Sequence, residues 1–183
     1  MKKTFKRLVM ALLVVATLMV PIGAATLPRT DITGSLTIET VYNTTRLSGA
    51  GISIYQVAEL VTGVGTEGYG YAPVGGFEGT SIDLSPPLTA DAKLAADLNA
   101  LVAANPSAFQ AVTQRTDNRG DAVFPNLDTG LYLVVQTGLV SGYQAFAPFV
   151  VPIPVLIEDK ESAEGTWHYH VISQPKLEPT TPE

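Results

Sequence analysis

The sequence predicts a mainly β protein, a β-sandwich with one inserted α-helix. Short apolar segments with period-two alternation recur between residues 34 and 173, and clusters of Gly, Asn, Asp and Pro separate them. One stretch alone, 88–105, carries its apolar residues at helical spacing. Six or more strands and a single helix bury their apolar faces most simply as two sheets with a helical excursion.

The chain opens with Lys2, Lys3, Lys6 and Arg7, then an apolar run from Leu8 to Val20 that closes on Pro21, Gly23, Ala24 and Ala25. That order is a secretory signal peptide over residues 1–25, cleaved near Ala25. A membrane span would need about 20 apolar residues, more than this core offers. The expected organisation is a signal peptide at 1–25, one sandwich domain at 26–176, and a linker at 177–183.

Gly34 to Tyr42 alternates Leu36 and Ile38 against Thr37 and Glu39, a half-buried strand. Gly49 to Leu60 places Ile52 and Ile54 on one face and Tyr55 and Val57 on the other, so both sides of that strand should meet apolar neighbours. Val61 to Pro87, punctuated by Gly63, Gly65, Gly68, Gly70, Gly75 and Gly76, is expected to be a long loop with at most short strands. Loops of that length are usually functional or mobile.

Leu88 to Asn105 is the helix, with Leu94, Leu98, Leu101 and Val102 on one face, Thr89 as its cap and Asn105-Pro106 as its stop. Thr116 to Gly120 is expected to turn a hairpin into a strand at Ala122–Phe124, and Asn126 to Gly130 turns again before Leu131–Thr137. Phe146 to Ile157 is an apolar strand whose Pro148, Pro152 and Pro154 each remove a ladder donor, so it belongs at a sheet edge or carries bulges. Glu158 to Gly165 reads as an acidic exposed loop. Trp167 to Ser173 is the last strand, with Trp167, Tyr169, Val171 and Ser173 on one face, and Pro175 ends it.

Composition narrows the function. Removing residues 1–25 takes away four of the eleven Lys and Arg and none of the seventeen acids, so the mature chain carries 7 − 17 = −10. An acidic surface without a basic run excludes nucleic acid and anionic lipid as partners, because both need clustered cations to displace counterions. There is no cysteine, so neither a disulfide nor a thiol site can form. No nucleophile stands in a catalytic context and there is no phosphate loop; no enzyme activity, catalytic residue, cofactor or metal is expected.

Three segments together resemble a known family, the sortase-assembled pilins of Gram-positive bacteria. Gly51-Ile-Ser-Ile-Tyr-Gln-Val is similar to the family's G-x-x-x-x-Y/F-x-V strand, with three residues in place of four between Gly51 and Tyr55. Thr116-Asp-Asn-Arg-Gly, with Phe124, Leu127 and Gly130-Leu-Tyr-Leu-Val-Val, resembles its T-D-x-x-G, F-x-x-L, G-x-Y-x-V segment. Trp167-His-Tyr-His-Val171-Ile-Ser-Gln-Pro175-Lys176 resembles the pilin motif W-x-x-x-V-x-V-Y-P-K, with Ser173 and Gln174 departing from Val and Tyr. Pro148 to Pro154 also looks like the family's P-F-x-V-x-x-P strand.

The resemblance spans nearly the whole mature chain, as the first domain of a longer family member. It implies an immunoglobulin-like or prealbumin-like sandwich of the collagen-adhesin-B type. It also implies a secreted, cell-wall-associated pilus as the location, and other pilin subunits and a sortase transpeptidase as partners. Lys176 is then the acceptor of an intermolecular isopeptide bond, supported by Trp167, Val171 and Pro175.

In the family the sortase holds one subunit as a thioester at its threonine and releases it to the lysine of another. Pro175 has a fixed φ and biases Gln174 toward an extended form, which suits delivery of Lys176 at a strand end. Trp167 and Val171, on one strand face, would anchor that end in the core.

Other signals fit less well. Leu27-Pro-Arg-Thr-Asp31 has Asp31 where a sorting signal has glycine. His168 and His170 stand two apart, but a zinc site wants at least three protein ligands. The family's internal isopeptide bond is not expected, since Ser35 to Tyr42 has no lysine and Gln136 replaces the usual glutamate. Lys93 and Lys160 read as ordinary surface residues. The chain ends at Glu183 without a sorting signal, which suggests a truncated sequence. The rival function is a ligand-binding adhesin module whose loop at 61–87 contacts a host or matrix component.

Overall fold

The computed structural model describes residues 26–86, 88, 92–158 and 165–180. The expected signal peptide, the cap at Thr89, Lys160 with most of its acidic loop, and residues 181–183 lie outside the described residues.

Strand β1, Gly34–Glu39, buries Leu36 and Ile38 and turns Thr37 and Glu39 outward, as its alternation requires. β2 (Val41–Tyr42) and β3 (Thr45–Arg46) form a small ribbon. β4, Gly51–Thr62, is the long central strand and pairs antiparallel with β5, Tyr69–Pro73. Helix α1 spans Ala92–Ala104. It is followed by β6 (Val112–Arg115), β7 (Asp121–Leu127), β8 (Gly130–Gly138) and β9 (Phe149–Ile153). β10 (Val155–Glu158), β11 (Gly165–His168) and β12 (His170–Ser173) complete the described chain.

A three-stranded sheet in the order β12-β1-β7 lies on a larger sheet in the order β5-β4-β8-β9, to which β6 adds by pairing with β4. Between them is the main core: Leu36 and Ile38 from β1 and Phe124 from β7 meet Ile52 and Ile54 from β4, Tyr132 and Val134 from β8, and Ile153 from β9. On the far face of the larger sheet, Val57, Leu131 and Leu133 pack under Leu94, Ala95, Leu98 and Val102 of α1. A sheet covered on both faces explains why β4 and β8 are almost continuously apolar. A register shift between Gln56 and Ala58 puts Val57 and Ala58, though neighbours, in the same helix-side cluster.

The fold class matches the sequence prediction, while several elements differ. The segment 61–86 holds one short strand, β5, as expected, but it is packed on the domain: β4 continues to Thr62, β5 folds back on it, and Phe77 and Leu84 roof the helix-side core. The Thr116–Gly120 turn is not a hairpin within one sheet. β6 pairs with β4 in the larger sheet and β7 with β1 in the smaller, so the turn is a corner between sheets. Turn residues specify the reversal of direction, and only the partners available on each side decide where the two arms pair.

The proline-rich segment forms two strands, β9 and β10, divided at a cis Ile153–Pro154 bond. β9 is an outer strand, where missing donors are tolerated. The final strand likewise divides at Tyr169: β11 pairs with β10, and β12 runs parallel to β1 with Val171 opposite Leu36.

Candidate functional site around Lys176

β12 ends at Ser173, and Gln174 and Pro175 carry the chain in irregular form to Lys176. The next residue, Leu177, is 6% exposed and joins the main core between the sheets. Beyond it, the Gln144 N–H donates to the Glu178 carbonyl at 2.9 Å and the Thr180 N–H donates to the Gly142 carbonyl at 2.9 Å. Tyr143 and Pro179 form an antiparallel bridge between the same two segments. Lys176 is therefore held from both sides, and the expected linker from 177 onward is docked on the domain as far as residue 180.

The lysine itself is outside the packing. Its side chain is 86% exposed, and its Nζ donates to Glu178 Oε1 at 2.8 Å. The hydrogen bond and charge of Glu178 hold the Lys176 ammonium above the ordinary lysine range, and Lys176 holds the Glu178 carboxyl below the ordinary carboxylate range. In the free chain the amine is thus a protonated partner in a surface ion pair. At a lysine pKa of about 10.4, only about one amine in two thousand is neutral at pH 7, and this contact lowers that fraction further.

Beside the lysine runs a cleft of about 470 Å³, walled by Phe146 to Val151 on one side, Ser173 to Pro175 on the other, and Ala92 at the start of α1. Its lining is mostly apolar. Phe146 is fixed there by its N–H, which donates to Gln136 Oε1 at 3.1 Å, while Gln136 Nε2 donates to the Gly138 carbonyl at 3.0 Å. Gln136 thus closes the loop that brings the cleft wall against Lys176.

The four motif residues do not gather at one place. Pro175 lines the cleft and Val171 packs half-buried against the main core. Trp167 does not anchor the lysine end in the core. It sits in β11, opposite Leu156, outside both core clusters, with its ring 5.4 Å from Tyr69 and nearly perpendicular to it. Its Nε1–H donates to the Thr26 carbonyl at 2.5 Å, and the Tyr169 hydroxyl accepts from the Arg29 N–H at 2.6 Å. The break at Tyr169 transfers Trp167 to a different sheet, so its partners are Thr26 and Tyr69 and not the neighbourhood of Lys176.

Leu177 and Glu178 were missed as site residues because Pro175 and Pro179 made the segment resemble a linker. A period-two reading of Lys176-Leu177-Glu178 carries the missing signal, charge out and leucine in. Elsewhere, His170 Nδ1 lies 2.9 Å from Ser35 Oγ, and Arg29 pairs with Asp31 at 2.8 Å.

No protein-family model and no curated protein matches the chain. Among solved structures it is similar to the full-length major pilin SpaD from Corynebacterium diphtheriae, with 23% identity and a TM-score of 0.51 over 82% of this chain and 31% of that one. The major pilin SpaA from the same organism matches at 22% identity and TM-score 0.44, over 79% of this chain and 30% of that one. The basal pilin SpaB from Lactobacillus rhamnosus GG matches at 15% identity and TM-score 0.42, over 79% of this chain and 96% of that one. The overlap with SpaD identifies the fold as an immunoglobulin-like, pilin-type sandwich with one helix.

Proposed function

We propose that the chain is a structural domain of a surface pilus subunit, secreted and associated with the cell wall. In this reading Lys176 accepts the threonine end of another subunit from a sortase transpeptidase. One observation carries it: the exposed Lys176 amine, on a backbone held by Leu177 behind it and by hydrogen bonds beyond it, stands at the rim of a mostly apolar cleft. The similarity of fold to pilins, and the Val171, Pro175 and Lys176 spacing of the pilin motif, support the same reading.

The chemistry asks little of the domain beyond presentation. The transpeptidase supplies the acyl thioester and this chain supplies the nucleophile. A backbone held in place at the lysine reduces the orientational freedom lost when the acyl donor arrives, which is where a scaffold contributes to such a reaction. The cleft offers the incoming chain end an apolar surface along β9, an outer strand of its sheet.

Mass spectrometry of wall-bound or polymerised material tests the proposal. The expected product is a branched peptide in which the Lys176 Nζ carries a threonine carboxyl, and Lys176→Arg should abolish it together with the high-mass polymer. Polymer recovered with an unmodified Lys176 would refute the assignment.

A further inference from the structure

Lys176 and Glu178 lie two residues apart with the buried Leu177 between them, so both side chains leave the surface on one side while the leucine enters the core. Glu178 stands on a fixed base, because its own carbonyl accepts from the Gln144 N–H at 2.9 Å. Its Oε1 is 2.8 Å from the Lys176 Nζ, the atom that must lose a proton before it can attack an acyl group. Among the described residues, Lys176 is the one ionisable side chain that lines the cleft, with Phe146, Pro148, Phe149, Val151 and Pro175 among its walls. Glu178, just outside that lining, is the carboxylate in contact with the nucleophile.

A carboxylate and an ammonium in contact have two stable forms, and the surroundings choose between them. In water both stay charged. When a partner covers them and water leaves, burial disfavours each charged form, raising a carboxyl's pKa and lowering an amine's, and the neutral pair gains. Resting on the acceptor reading above, we propose that Glu178 takes the proton from Lys176 once a docked acyl donor covers the cleft.

The step balances without a further reactant. The first ammonium proton passes to the Glu178 carboxylate, leaving a neutral amine. That amine attacks the carbonyl carbon of an acyl thioester, the new C–N bond forms as the C–S bond breaks, and the second proton leaves nitrogen for the departing thiolate. Glu178 returns its proton to water when the site opens. In the uncovered chain the same contact acts in the opposite sense, since Glu178 favours the charged lysine. The pair thus keeps the amine unreactive toward solvent-borne electrophiles and releases it only under a docked donor.

That opposition of sign is the test, made on the secreted chain and its Glu178→Gln variant, with Lys176→Arg as the control. A small water-soluble acetylating ester, which needs no docking, should label Lys176 about twofold faster in E178Q, the size expected from losing an exposed ion pair. Transfer from a sortase preloaded with an L-P-x-T-G peptide should instead be about 100-fold slower in E178Q at pH 7, as for loss of a general base. The deficit should close as pH rises toward about 10.4, where the amine needs no base.

Equal or faster sortase transfer in E178Q, with wild type active, would overturn the role of Glu178 and leave the acceptor reading intact. No product at Lys176 in the wild-type chain would overturn that reading, and this proposal with it. A loss of folding is separated by thermal unfolding, which should differ little between the two chains because an exposed ion pair contributes little to stability.

Discussion

Thr116 is a polar residue that the fold leaves almost no water to reach, and its hydrogen bonds explain its place before the corner. Its hydroxyl donates to the Leu47 carbonyl at 2.8 Å and accepts from the Ala50 N–H at 2.9 Å, tying the turn to the chain that leads into β4. Asp117 completes the corner by accepting from the N–H groups of Arg119 and Asp121, and Gly120 takes the positive φ of 77° that follows. Leu177 plays the corresponding part at the Lys176 end. Replacing it with alanine should remove about 2–3 kcal/mol of stability, within the range for a buried leucine. The same change should open residues 174–180 to limited proteolysis. Denaturant unfolding measures the first effect, and a loss below about 0.5 kcal/mol would mean that Leu177 does not hold the lysine segment.

At the scale of elements, α1 shows a helix whose stability comes from its sheet. Leu94, Ala95, Leu98 and Val102 are buried along one face, and exposed Asp97 on the other pairs with Lys93 at 2.5 Å. An isolated helix of 13 residues is marginal in water, so packing on Val57, Leu131 and Leu133 must supply the difference. Leu98→Ala at this contact should cost about 3 kcal/mol. Circular dichroism at the new unfolding midpoint should still show helix and sheet melting together; separate transitions would mean that the helix is an independent appendage. β9 illustrates the opposite constraint. Pro152 within it, with Pro148 and Pro154 at its ends, disfavours the middle of a sheet, and the outer position leaves its side free to wall the Lys176 cleft.

Over the whole molecule, the exposed carboxylates predict how stability follows pH. Asp31 is held below its usual range by Arg29, Asp83 by Ser85, Asp117 by the N–H groups of Asp121 and Arg119, and Glu178 by Lys176. Because each folded value is depressed, each stabilising contribution is complete above the ordinary carboxylate range and is lost as pH falls through the lowered folded value. The unfolding temperature should stay level from pH 7 to about 5, then decline steadily toward pH 2. A rise over the acid interval would show that relief of the net negative charge outweighs these contacts.

The sequence alone determined the sandwich class and the helix face from Leu94 to Val102, since each is written in local order: period and turn residues. Tertiary structure decided that the 116–120 turn joins two sheets, that Trp167 meets Thr26 and Tyr69, that the stretch after Lys176 is docked, and that Glu178 meets the lysine beside an apolar wall. The physical reason is common to all four. Strand pairing and packing select among distant partners, and spacing along the chain does not encode which of them will be near.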